Sequence, residues 1–138
     1  MATFKFYTNS NLTAEFGGTI TAVQNLDGTT GRQDFQLWLG SVAASKTLMA
    51  DSNPGVDQIA LSVVDASPGS GHPASEIKLA TTQGGLAGAT GGAALNLGTT
   101  ILSGTSNAVA FWVGVQDSTH VLGTSTELSC LTNLLRET

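Results

Sequence analysis

Hydrophobic and polar residues alternate along this chain with a period of two, not 3.6. In Asp34–Leu39, Phe35, Leu37 and Leu39 share one side while Gln36 and Trp38 take the other. Ile59, Leu61 and Val63 alternate with Ala60, Ser62 and Val64, and Ile77 and Leu79 alternate with Glu76 and Lys78. The run Ala108–Val115 is apolar on both sides, which predicts a central strand. Weaker strand candidates are Thr3–Tyr7, Gly18–Val23, Thr47–Ala50, Leu95–Leu102 and Glu127–Leu134.

Turn formers separate these runs, as in Asn25-Leu-Asp-Gly28, Ser52-Asn-Pro-Gly55, Ser67-Pro-Gly-Ser-Gly71, Gly84-Gly85 and Gly91-Gly92. No window of a dozen residues carries a helical stripe, and the pattern leaves room only for a short helical turn near Ser75 or Leu86. About 7–9 short strands joined by such turns predict an all-β fold with antiparallel sheets, a β-sandwich (Ig-like or Greek-key) or a barrel, as one domain over residues 1–138. The Cys…Trp…Cys spacing of antibody domains is absent, so an Ig-like reading concerns architecture alone.

Composition narrows the function classes. Of 138 residues 41% are hydrophobic, only 11% are charged and 17 are glycine. Soluble domains usually carry about a quarter charged residues, so hydroxyls and small side chains must cover this surface. Ten acids against five bases give a net charge of -5 and no electrostatic footprint for nucleic acid or an anionic membrane. The longest apolar run is far shorter than the roughly 20 residues that span a bilayer. The opening Met-Ala-Thr-Phe-Lys-Phe-Tyr lacks the apolar core of a secretory signal, so synthesis and folding in a reducing cytoplasm are expected. The one cysteine, Cys130, lies in a strand-like segment and reads as a buried, inert thiol.

The motifs that carry chemistry are weak. Gly69-Ser-Gly-His-Pro-Ala74 imitates a dinucleotide fingerprint, but Pro73 and a strand follow where a helix would be needed. Asp51, Asn53 and Asp57 place oxygens like the start of a calcium loop, yet Val56 and Ser62 stand where its glycine and acid belong. His72 and His120 sit beside turn residues and read as exposed loop histidines. No nucleophile elbow and no zinc-spaced pair occurs. Catalytic residues, cofactor and metal ligands are therefore expected to be none.

Two features favour contact with other molecules instead. Trp38 and Trp112 are the side chains best able to anchor a partner subunit or stack on a sugar. Leu128, Leu131, Leu134 and Leu135 break the period of two, so one sheet face cannot bury all four. The expected interaction surface is Trp38, Trp112, Leu131, Leu134 and Leu135.

The stretches DFQLWLGS at Asp34–Ser41, SNPGVDQIALSVVDASPGSGH at Ser52–His72, GAALNLGTTILSG at Gly92–Gly104 and STELSCLTNLL at Ser125–Leu135 resemble small virion proteins of tailed bacteriophages. The resemblance implies a non-enzymatic β-sandwich that decorates (cements) the capsid or serves as a tail accessory protein. Its expected partners are copies of itself and the major capsid or tail proteins, and its expected location is the virion, after synthesis in the bacterial host cytoplasm. The alternative is a carbohydrate-binding module at a host-recognising tail tip, with host glycans as ligands. The matching stretches are strands and turns, so they transfer no catalytic or binding residue.

Overall fold

The computed structural model describes residues 3–138. Ten strands follow one another: β1 (Lys5–Tyr7), β2 (Gln33–Gly40), β3 (Thr47–Ala50), β4 (Ala60–Asp65), β5 (Ile77–Ala80), β6 (Leu95–Asn96), β7 (Thr100–Leu102), β8 (Val109–Val115), β9 (Leu128–Thr132) and β10 (Leu135–Glu137). All pairings between them are antiparallel. Among the described residues helical backbone is confined to single 3-10 turns at Ala74–Glu76, Gly84–Leu86 and Thr105–Asn107. The first two stand where the sequence leaves room for them.

The strongest alternating runs pair with one another. One sheet has the order β1-β2-β8-β5, and Ala108–Val115 contributes its central strand, as its two apolar faces require. The register Leu37↔Phe111 and Phe35↔Val113, continued by Leu79↔Val113, aligns their apolar residues on one face.

The other two sheets, β10-β3-β7 and β6-β4-β9, are halves of one kinked layer. Each strand of this layer is broken at the same level. β3 leads to β4 through residues 51–59, β6 to β7 through 97–99, and β9 to β10 through Asn133 and Leu134. Hydrogen bonds cross the break: Ile59 N–H donates to Gly98 O at 2.7 Å, Asn133 N–H to Ala60 O at 3.2 Å and Asp51 N–H to Leu134 O at 2.9 Å. Counted through their breaks, the ten segments make seven strands. The predicted strand over Leu95–Leu102 is thus two pieces, with Gly98 (φ +105°) at the corner.

One core fills the space between the layers. Leu37, Leu39, Ile77, Leu79, Phe111 and Val113 from the four-stranded sheet meet Leu48, Leu61 and Ile101 from the kinked layer, with Phe4, Ile59 and Leu97. Phe6 and Phe111 stack edge to face, with centroids 5.8 Å apart and planes at 82°. The outer face of the four-stranded sheet is partly covered as well. Leu12 lies over Gly40, and Leu86 of the Gly84–Leu86 turn packs beside β5 and β8, both leucines fully buried.

The expected strand Gly18–Val23 does not form. Ile20 and Ala22 are half-buried while Thr19, Thr21 and Val23 face solvent, but the segment joins no sheet. Its first residues border an apolar groove between the layers, and the Gln24 side chain ties it down by donating to Gly31 O at 2.8 Å and Val115 O at 2.9 Å.

Candidate functional site

Because Ile77 pairs with Val115, the start of β5 and the end of β8 lie side by side. Residues flanking those strand ends are brought together: Glu76 just before β5 and Asp117 just after β8. Gln116 N–H donates to Glu76 O at 3.1 Å and locks the approach. Pro73 precedes the single turn Ala74–Glu76, whose tightness lets His72 and Glu76, four residues apart, face each other. The result is a cluster in which ligand atoms of His72, Glu76 and Asp117 all lie within 4.8 Å of one another.

Each member is held by named partners. Glu76 is 7% exposed, an uncommon place for a carboxylate unless it is hydrogen-bonded. One oxygen faces His72 Nδ1 at 2.8 Å, and the other accepts the Ser118 N–H at 3.0 Å and hydroxyl at 2.7 Å. Asp117 Oδ1 lies 3.5 Å from the same His72 Nδ1. That carboxylate also caps a turn, accepting the Thr119 N–H at 2.8 Å and hydroxyl at 2.9 Å. The Thr119 backbone bond is the main reason its pKa falls below the usual carboxylate range, with the nearby His72 a smaller contribution. The His72 backbone N–H donates to Glu127. Gly71 makes that approach feasible, since it takes φ +65° and a β-carbon there would collide with the Glu127 carboxylate.

A cleft of about 580 Å3 borders Glu76 and Asp117 on one side, with Asp27, Arg32, Lys78 and His120 among its other walls. A second cleft of about 450 Å3 touches all three cluster residues. At the first cleft Arg32 Nε donates to Asp34 Oδ1 at 2.6 Å, and Gln83 donates to the other oxygen at 3.2 Å. The Arg32 guanidinium holds the Asp34 carboxyl below its ordinary range. A carboxyl with a lowered folded pKa contributes stability that is present in full above its unfolded value of about 3.9 and is lost as pH falls through the folded value. Asp34→Asn should therefore be less stable than the parent at pH 7, and denaturant midpoints of the two proteins should converge below about pH 4. A gap of equal size at pH 3 and pH 7 would show that Asp34 acts by packing rather than by charge.

His72 departs from the expectation of an exposed loop residue: it is half-buried and partnered, whereas His120 is exposed. The only local signal is His-Pro-x-x-Glu at His72–Glu76, whose spacing closes over one turn. Asp117 joins it through the β5–β8 register, which no local pattern reveals.

The five surface residues do not converge on one site. Trp38 and Trp112 are diagonal neighbours on the outer face of the four-stranded sheet, both half-buried. Leu131 and Leu134 project from the opposite layer, 64% and 81% exposed. Leu135 turns inward and packs on the core. The phase change is visible in the burial: Leu128 and Leu135 pack inward on either side of the break, while Leu131 and Leu134 point outward.

Cys130 is exposed, which corrects the expectation of a buried thiol. Its parity is inward, but an apolar groove of about 680 Å3, walled by Phe16, Ile20 and Leu128, opens between the layers there. Partial desolvation still raises the thiol pKa, which keeps it protonated and unreactive near neutrality. Asp51, Asn53 and Asp57 form no ligand cage: Asp57 accepts the Ser52 hydroxyl and Asp51 accepts Arg136. Among the described residues no helix is long and apolar enough to cross a membrane. Compared with known proteins, the chain matches no family model, no curated protein and no solved structure.

Proposed function

We infer that this chain is a non-enzymatic building block of a tailed-phage particle, held in place by contacts with copies of itself and with capsid or tail proteins. The observation that carries this reading is the exposure of Leu131 and Leu134 on the outermost strand of the kinked layer. Val64, diagonal to Leu131 across β4 and β9, extends the apolar surface. The outward residues of these strands carry one charge, Arg136, and it is already paired with Asp51 at 3.0 Å. Sheet edges exposed to solvent are usually guarded by lysine or other free charges, and here the one outward charge is spent on its partner. Short Ser and Thr side chains around the leucines have little rotamer freedom to lose on contact. Each leucine stabilises an interface by about 1.5–3 kcal/mol when fully covered.

The resemblance of four sequence stretches to small virion proteins supplies the setting, capsid decoration or tail accessory. The glycan-binding alternative draws less support, because both indoles are half covered by their own chain. Sedimentation tests the reading together with protein analysis of purified particles. The parent chain should sediment as a defined oligomer and occur in particles at a fixed ratio to a capsid or tail protein. A Leu131→Glu, Leu134→Glu double variant should keep its circular dichroism yet run as a monomer. A parent chain that stays monomeric and is missing from particles overturns the reading.

A further inference from the structure

We propose that His72, Glu76 and Asp117 form a binding site for one divalent transition-metal ion of the zinc class, clamping the connection before β5 to the segment after β8 at one end of the sandwich. Nitrogen and oxygen ligands sit about 2.0–2.2 Å from such an ion. Two ligand atoms on one ion are then separated by about 3.0 Å at a right angle and about 3.4 Å at a tetrahedral angle. His72 Nδ1 stands 2.8 Å from Glu76 Oε1 and 3.5 Å from Asp117 Oδ1, distances that bracket this range. All three ligand atoms lie within 4.8 Å of one another.

One approach in this cluster, His72 Nδ1 to Asp117 Oδ1 at 3.5 Å, has no hydrogen bond of its own. A ring nitrogen carries at most one hydrogen, so Nδ1 can donate to one of the two carboxylates facing it. A cation attracts both at once. The buried Glu76 is oriented by Ser118 on the oxygen that does not face His72, an outer hydrogen bond of the kind ligating carboxylates commonly have, while Thr119 fixes Asp117 at Oδ1, the oxygen that does face His72. The cleft that touches all three residues gives water access to the remaining coordination positions. An imidazole among the ligands selects zinc, cobalt or nickel over calcium and magnesium, which prefer all-oxygen shells. The ion would join the 66–76 connection to the segment after β8, where the chain has no disulfide to do so.

The test is titration of the chelator-treated, full-length chain with Zn2+ by calorimetry, with imidazole resonances followed by NMR. One equivalent should bind with a dissociation constant in the micromolar range or tighter. The chain has two histidines, so the spectra separate them: His72 should shift and His120 should not. His72→Gln and Asp117→Asn should each weaken binding at least tenfold, while His120→Ala should leave it unchanged. The NMR assignment uses the parent protein, so the conclusion survives a variant that fails to fold. No heat on titration, a response from His120 alone, or equally tight binding of Ca2+ overturns the proposal.

Discussion

Phe111→Ala is expected to lower the unfolding free energy by about 3–5 kcal/mol, the range for removing a large aromatic side chain from a packed core. Phe111 is 1% exposed and sits on β8, where Leu37 is its cross-strand neighbour and Phe6 meets its ring edge to face. Neighbouring backbone cannot close over the loss, because β8 is pinned on both edges by β2 and β5. The apolar groove beside it offers some room to relax, but water entering the space left by the ring would find few polar partners. Urea unfolding of parent and variant measures the difference. A cost under about 1 kcal/mol would mean that the two layers are not packed through this ring.

Most of this architecture was legible in the sequence. The side-chain period in β2, β5 and β8 reports both the strands and their buried faces, and a run apolar on both sides correctly marks the central strand. Gly18–Val23 alternates without becoming a strand. Its alternation is real, with Ile20 and Ala22 covered, but period two reports an extended backbone with one sheltered side and not a hydrogen-bonded neighbour. The β9–β10 break is a second limit: Asn133 and Leu134 shift the phase, so the segment reads as one strand ending near Leu134 and Leu135–Glu137 goes unseen. Outward leucines were nevertheless visible, since four leucines out of phase cannot all face one core. The polar cluster was not. His72 and Asp117 are separated by 45 positions and meet only because Ile77 and Val115 pair, a fact of register that no local composition encodes.

Gly91→Ala should destabilise the protein by about 1–3 kcal/mol or more, although it adds a single methyl group. Gly91 lies in the turn before β6, pressed against the backbone of Ser75. A β-carbon there would overlap the Ser75 carbonyl oxygen and stand 2.8 Å from its carbon. Flexible side chains can move aside, but this neighbour is main chain in the turn Ala74–Glu76. That turn is fixed at its far end by the bond from Gly92 N–H to Ile77 O at 2.8 Å. The strain must therefore pass to the next residue, Glu76, and pull its carboxylate away from His72 and Ser118. Two readouts follow from one substitution: a lower unfolding midpoint, and Zn2+ affinity reduced at least tenfold if the cluster holds an ion as proposed. The stability loss depends on the fold alone. Should the variant unfold like the parent, the close approach of Gly91 to Ser75 is wrong; should it be destabilised yet bind Zn2+ unchanged, the ion is not held by Glu76.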